Sequence, residues 1–217
     1  MSQPENTPKF PGLHARIATA AGQEIDLLCP APESIDIYSV AWSLSQLNRF
    51  TGHALRPYSV AEHSLLVSHI AETQLGLDVN GQLAALLHDA HEAFCGDLHT
   101  PGKQIVGEAW QRFERHLEAH THRAFAISTA SRIHGAAIKL ADLMALATER
   151  RDLLAPHLPA WPVLRDIQPV DTDLRATERR ETGWEGWRDR FLDRFHHLES
   201  ARNHALFAQK ITTGASA

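Results

Sequence analysis

The stretch LAALLHDAHEAFCGD, residues 83–97, joins a run of five apolar residues to a cluster of histidine and acidic side chains. The apolar run and the glycine after it predict a helix over about residues 81–94. His88 and Asp89 close the run, and such groups are costly to desolvate without a compensating partner. A divalent metal ion is one such partner, because neutral imidazole and ionised carboxylate both bind it. The stretch therefore predicts a buried helix that carries part of a metal site.

Helical periodicity extends from this stretch over most of the chain. Asp36 is a suitable N-cap, and Ser59 with Glu62 forms the Ser-x-x-Glu pattern of a capping box. The predicted helices span about residues 37–49, 59–76, 81–94, 107–126, 129–154 and 184–209. Partial alternation around Ala21-Gly22 indicates a short hairpin, and Thr100-Pro101-Gly102 is expected to break the chain. The fold class is therefore all-α, a helical bundle with a candidate short N-terminal β-hairpin.

The length of 217 residues favours one compact domain. We divide the chain into residues 1–35, an N-terminal lead-in with the candidate hairpin, residues 36–210, the helical domain, and residues 211–217, a flexible tail. The aromatic stripe of the last helix, Trp187, Phe191 and Phe195, is expected to pack in the bundle.

Composition limits the classes of partner. The net charge of −5 predicts no broad basic surface for a nucleic acid polymer. The chain shows no secretory signal and no apolar segment of the roughly 20 residues that cross a bilayer, so no membrane partner is expected. Cys29 and Cys95 lie far apart and indicate no disulfide framework, which fits a reducing cytoplasm. Of the 15 histidines, five in polar helical stretches are expected to be solvated: His120, His122, His196, His197 and His204.

Four residues interrupt apolar helical faces: His63, His88, Asp89 and Asp142. A single histidine on such a face is more often a core residue with one hydrogen bond, but an ionised carboxylate among leucines needs a partner. Together the four side chains can form a metal site between helices of a bundle. Two nitrogen and two oxygen ligands suit one divalent ion, which could be Mn²⁺, Co²⁺, Ni²⁺, Fe²⁺, Mg²⁺ or Zn²⁺.

Two further acids follow the His-Asp pair. Glu92 lies four residues after His88, on the same face of the predicted helix, and is placed for proton transfer to or from a metal-bound water. The alternative for Glu92 is a solvated helix residue. Asp97 could orient the same water or protonate the leaving oxygen. His91 is assigned to hydrogen bonding or solvent, with a second metal as the alternative.

Three segments, SVAEHSLLV, HDAHEAFCGDLHTP and KLADLMA, are similar to the histidine-aspartate (HD) domain phosphohydrolases. They most resemble the bacterial 5′-deoxynucleotidases and related phage deoxynucleotide phosphohydrolases, over about residues 36–155. The resemblance implies an HD-type phosphohydrolase domain in which four residues bind the metal and two form the acid-base pair: His63, His88, Asp89 and Asp142, then Glu92 and Asp97.

The resemblance also suggests substrate contacts. Asn48-Arg49-Phe50 stands near the place of an Asn-Arg-Trp of the nucleotidases, in which the arginine grips phosphate and the aromatic residue crowds the sugar. Phe50 keeps an aromatic side chain at the position of that tryptophan. His53 and Lys103 are further candidates for phosphate contacts, and an ordinary loop histidine and lysine are the alternative.

The expected function is metal-dependent removal of phosphate from deoxyribonucleoside 5′-monophosphates by attack of a metal-bound hydroxide. One alternative keeps the site but releases tripolyphosphate from dNTPs. Another class is a non-catalytic nucleotide-binding module with a structural metal, against which Glu92 and Asp97 argue. The resemblance further implies an enzyme of nucleotide metabolism that forms a homo-oligomer, a dimer or larger. The cysteine usage and the missing secretory signal predict a cytoplasmic location.

Overall fold

The computed structural model describes residues 15–214, which form nine helices and one antiparallel hairpin. The helices are α1 (Ile37–Gln46), α2 (Val60–Thr73), α3 (Val79–Leu86), α4 (Glu92–Cys95), α5 (Thr100–Val106), α6 (Glu108–Ala124), α7 (Ser128–Leu153), α8 (Thr177–Glu181) and α9 (Trp184–Gly214). Strands β1 (Arg16–Ala18) and β2 (Glu24–Asp26) pair around a turn in which Gly22 has a φ of +74°. The all-α fold with a short hairpin is confirmed. The predicted lead-in over residues 1–12 lies outside the described residues.

The predicted helix starts at Asp36 and Ser59 are confirmed. The Asp36 carboxylate accepts a hydrogen bond from the Ser39 amide at 2.8 Å, and the Ser59 hydroxyl accepts one from the Glu62 amide at 3.1 Å. These contacts satisfy amides that have no partner within the helix. The last helix ends at Gly214, five residues later than predicted.

The single helix predicted over residues 81–94 is wrong. Helix α3 ends at Leu86, a turn spans residues 87–91, and α4 begins at Glu92. Within the turn the hydrogen bonds tighten to three-residue spacing, from the Ala90 amide to the Leu87 carbonyl and from the Glu92 amide to the Asp89 carbonyl. Periodicity did not reveal this break, because the whole apolar run before it is buried and marks no single helical face.

The break predicted at residues 100–102 is also wrong, because Thr100 begins α5 there. Pro101 occupies the first turn of that helix, where the missing amide proton costs nothing. The His99 ring accepts a hydrogen bond from the Gly102 amide at 3.0 Å. Helix α8 was not predicted either.

The core lies where α2, α3, α7 and α9 pack against one another. Phe191 is fully buried, and Trp187 and Phe195 are 5% and 3% exposed, so the predicted packing of this aromatic stripe in the bundle is confirmed. No described helix is both long enough and apolar enough to cross a bilayer.

A buried ion-pair network holds residues 170–181 against the bundle. The Glu62 carboxylate is fully buried and accepts hydrogen bonds from Arg56, at 2.7 Å to each oxygen, and from Arg179 at 2.8 Å. Arg56 also donates to the Leu174 carbonyl, and the Leu174 amide donates to Asp152 at 3.0 Å. These contacts fix the start of α2 and the end of α7, the two long helices that carry the site.

Candidate metal centre

Four side chains from three separate elements meet at one point. His63 comes from α2, His88 and Asp89 come from the turn at residues 87–91, and Asp142 comes from α7. The His63 Nε2 atom lies 3.4 Å from His88 Nε2, 3.3 Å from Asp142 Oδ1 and 3.7 Å from Asp89 Oδ2. His88 Nε2 and Asp89 Oδ2 are 3.1 Å apart. The structure therefore brings together all four predicted metal ligands.

The second nitrogen of each imidazole fixes which atom faces the cluster. His88 Nδ1 lies 2.8 Å from the Ala85 carbonyl, which can only accept, so Nδ1 carries the proton. His63 Nδ1 donates in the same way to the Glu149 carboxylate at 2.5 Å. Both Nε2 atoms thus face the carboxylate oxygens of Asp89 and Asp142, and each Nε2 atom can bind a cation when it is unprotonated.

The spacing of the donor atoms of His63, His88 and Asp142 fits a divalent ion, and Asp89 lies beside the two histidines. Ligand atoms at about 2.0–2.2 Å from a common ion stand about 2.8–3.6 Å apart in tetrahedral or octahedral geometry. Of the separations between these atoms, those between His88 and Asp89, His63 and Asp142, and His63 and His88 are 3.1–3.4 Å and lie within that range, and that between His63 and Asp89 is slightly longer at 3.7 Å. A group that could hold a metal ion is therefore present, and its donors are those that borderline and hard divalent ions accept.

In the metal-free protein, a proton on His63 supplies the positive charge that the carboxylates of the cluster attract. Burial and Arg49 act to lower the pKa of His63, but Glu149 and Asp142 outweigh them and raise it to about 9. Burial acts to raise the pKa of Asp142, but its hydrogen bond to His63 and the nearby His88 hold it below its usual range. His63 is therefore protonated at neutral pH in the metal-free protein, and a metal ion must displace that proton.

Glu149 is a site residue that the sequence analysis missed. It is fully buried, orients His63 and forms a salt bridge to Arg49 Nη2 at 3.2 Å. Glu149 follows Asp142 by seven residues on α7, which is two helical turns and places both on one face. The seven-residue spacing from Asp142 is the sequence feature that could have identified Glu149 as a site residue.

Arg49 lies at the edge of the cluster. Its backbone amide donates to the Tyr58 carbonyl at 2.9 Å, which pins the loop before α2. Its Nη1 atom is 3.8 Å from Asp89 Oδ2, and its buried Nε atom has no hydrogen-bond partner among the described residues. The guanidinium also lies 5.6 Å from the centre of the Phe50 ring. His53 is exposed and makes no described side-chain contact with the four ligands.

Glu92 and Asp97 lie close to the cluster, although Glu92 is not on the helical face first assigned to it. It begins α4 and is 3% exposed, so the solvated alternative is wrong. Burial, followed by the neighbouring Asp89 and Asp97 carboxylates, raises the pKa of Glu92 well above its usual value. Burial likewise raises the pKa of Asp97, although Arg49 opposes it. Both acids thus have raised pKa values, a feature that carboxyl groups with a role in proton transfer often share.

A second group of possible ligands consists of His91, Glu92 and Glu114. The Lys103 ammonium already lies among these residues, 2.5 Å from Glu114 Oε1 and 3.8 Å from Glu92 Oε1. His91 Nε2 is 3.7 Å from the same Glu114 oxygen. The Lys103 ammonium therefore competes with a metal ion for these carboxylates, and the second metal considered for His91 stays a prediction.

A cavity of about 330 Å³ opens beside the ligands. His88, Asp89 and Asp142 line it, together with residues of α5, α6 and α7. His122 is among them, so its predicted placement in solvent is wrong. His120 is half-buried and donates to the Pro30 carbonyl at 2.8 Å, which corrects the same expectation.

Two curated proteins are similar to this chain. The uncharacterized protein YfdR of Escherichia coli K12 is 36% identical over 139 residues, which cover 64% of this chain and 72% of YfdR. The chain belongs to the YfdR family. The uncharacterized protein RCAP_rcc00048 of Rhodobacter capsulatus is 39% identical over 110 residues, 49% of this chain and 56% of that protein. No protein-family model matches the chain.

Proposed function

We propose that this member of the YfdR family is a metal-dependent phosphohydrolase that removes phosphate from deoxyribonucleoside 5′-monophosphates. The observation that carries the proposal is the convergence of His63, His88 and Asp142, with Asp89 beside the two histidines, at the edge of a cavity that His88, Asp89 and Asp142 line. Glu92 and Asp97 lie close enough to the Asp89 carboxylate for its charge to raise their pKa values. When bound, a divalent ion supplies Lewis acidity for the attack of water on phosphorus. The resemblance to the HD-domain phosphohydrolases, stated from the sequence, supports the same chemistry.

Arg49 is placed to bind the phosphate. Its guanidinium is 12% exposed and stands 3.8 Å from the ligand Asp89, so an anion beside the ligand cluster lies within its reach. Its salt bridge to Glu149 holds one end of the guanidinium and leaves the Nε donor without a partner among the described residues. A planar guanidinium with free donors is well suited to phosphate oxygens.

Glu92 and Asp97 would move the protons. Hydrolysis of a phosphate ester needs a proton taken from water and a proton given to the leaving 5′-oxygen. Carboxyl groups with raised pKa values exchange protons near neutral pH more effectively than ordinary ones. Lys103, which lies 3.8 Å from Glu92, places a positive charge beside these acids.

The test is phosphate release from dAMP, dGMP, dCMP and TMP with Mn²⁺ or Co²⁺. The Glu92→Gln variant should lose turnover, by about 10²–10⁴-fold for a general acid or base, and keep metal binding. If no nucleotide loses phosphate with any divalent ion, the proposal fails. Chromatography of the products from dATP separates it from release of tripolyphosphate. Nucleotide binding without turnover, unchanged in Glu92→Gln, would indicate a non-catalytic module instead.

The resemblance further supports a homo-oligomer, and the cysteine usage supports a cytoplasmic location. Light scattering of the full chain at micromolar concentration tests the assembly. A strict monomer would contradict this part of the proposal without affecting the chemistry of the site.

A further inference from the structure

The cavity beside the ligand cluster has two chemically different parts. Its first part is the ligand cluster, through His88, Asp89 and Asp142. Much of the rest of its wall comes from α6 and the first half of α7, through Glu118, His122, Ser131, Gly135 and Ile138 among others. A molecule with its phosphate at the cluster would therefore extend along these two helices.

Two polar atoms on that wall have no hydrogen-bond partner among the described residues. They are His122 Nε2 and Ser131 Oγ, and both atoms are buried. The carboxylate oxygen Glu118 Oε1 lies 4.0 Å from His122 Nε2, which is too long for a hydrogen bond. Buried polar atoms are usually paired, and a ligand in the cavity would supply partners for both atoms.

The charges of the wall argue against a long phosphate chain. Lys103 is paired with Glu114 at 2.5 Å, and Lys139 is paired with Asp142 at 2.7 Å. Glu118 adds a negative charge to the lining, and Arg115 is the remaining cation among the lining residues. The carboxylates here would repel a second or third phosphate, whereas they would not repel an uncharged polar group.

His122 and Ser131 have the hydrogen-bonding character that a nucleobase needs. Burial lowers the pKa of His122, so the ring is neutral at pH 7 and offers one donor and one acceptor. A hydroxyl also donates and accepts. The volume of about 330 Å³ lies at the small end of the roughly 300–1,000 Å³ range of ligand cavities, which suits one small molecule.

We propose that His122 and Ser131 bind the base of the nucleotide whose phosphate lies at the ligand cluster, and that they favour a nucleotide over the corresponding sugar phosphate. This inference rests on the proposed function, because it places the base relative to that phosphate. Ile138, in the same wall, supplies an apolar surface for the face of the base.

The experiment compares substrates with and without a base. The wild-type protein and the His122→Ala and Ser131→Ala variants are assayed with Mn²⁺ on the four deoxyribonucleoside monophosphates and on 2-deoxyribose 5-phosphate. Each variant should lose about three- to tenfold in kcat/KM on the preferred nucleotide, the worth of one hydrogen bond, and be unchanged on the sugar phosphate. Ser128→Ala, an exposed serine at the start of α7, is the matched control and should match wild type on both.

Calorimetry of deoxynucleoside binding to the metal-free protein gives a readout that needs no turnover. Binding that weakens by the same factor in His122→Ala and Ser131→Ala supports the base subsite. Equal loss on nucleotide and sugar phosphate would reveal a merely structural role and overturn it. Equal wild-type efficiency on both substrates would also overturn it while leaving the proposed function intact. If no substrate is hydrolysed, the proposed function fails, and deoxynucleoside binding that is absent or unchanged in the variants overturns the subsite.

Discussion

Replacing Glu149 by glutamine removes one negative charge from behind the metal centre and keeps the shape of the side chain. The carboxylate is fully buried, accepts the Nδ1 proton of His63 at 2.5 Å and pairs with Arg49 at 3.2 Å. Such a partner raises the basicity of the ligand nitrogen, and its loss typically costs about 10–100-fold in metal affinity. We expect a decrease of that size in the affinity of the variant for Mn²⁺ at pH 8.

The same prediction extends to the pH dependence of the affinity for Mn²⁺. With a pKa of about 9, His63 must lose a proton before its Nε2 atom can bind the ion, so wild-type affinity rises with pH. One displaced proton gives about a tenfold rise per pH unit, or about thirtyfold from pH 6.5 to 8.0. Without Glu149 the pKa of His63 falls, proton competition weakens, and the curve flattens. The gap between wild type and variant therefore widens as pH rises.

Isothermal titration with Mn²⁺ at several pH values between 6.5 and 8.0 measures both quantities. Asp152→Asn is the matched control, because Asp152 is another buried carboxylate near the end of α7 that contacts Arg151 and the Leu174 amide. It should lose stability and keep the wild-type affinity and pH slope. A wild-type affinity that does not change with pH, or a Glu149→Gln variant with wild-type affinity and slope, would refute the assigned role.

Three other measurements separate the stability of the fold from the metal centre. Arg56→Ala leaves the buried Glu62 carboxylate with one cation fewer, and we expect urea denaturation to show a loss of about 3–5 kcal/mol; an unchanged midpoint would contradict the buried pair. Phe191→Ala should cost about 3–5 kcal/mol and lower the Tm, since the ring is fully buried, and a wild-type Tm would disprove that packing. Mn²⁺ at a hundred times its Kd should stabilise the wild-type protein by about 2.7 kcal/mol. Asp142→Asn should abolish that gain, and equal stabilisation of both proteins would place the ion elsewhere.

Helical periodicity and capping patterns predicted most of the fold. Ser59 and Asp36 cap α2 and α1 as expected, and α7 differs from its predicted bounds by one residue at each end. Long amphipathic segments carry many residues that agree on one face, so they can be identified without tertiary information. The metal ligands could also be predicted from the sequence, because each places a polar or charged side chain in an apolar segment, where it needs a partner.

Other features depend on contacts that the local sequence does not record. The four-residue helix α4 and the five-residue helix α8 are too short to produce a periodic signal. Glu149 looked like an ordinary residue near a helix end, and its burial depends on His63 and Arg49, which are 86 and 100 residues away. The unpaired atoms of His122 and Ser131 could not be found without the cavity, because a histidine and a serine on polar helices are usually solvated.

The turn at residues 87–91 explains how adjacent residues can bind one ion. In a continuous helix neighbouring side chains project about 100° apart, so His88 and Asp89 would face different elements. Because α3 ends at Leu86, the backbone turns and Asp89 Oδ2 comes within 3.1 Å of His88 Nε2. The His88 Nδ1 proton then satisfies the Ala85 carbonyl in the last turn of α3. One hydrogen bond therefore has two consequences. It satisfies a carbonyl at the end of α3, and it directs the His88 Nε2 lone pair into the cluster.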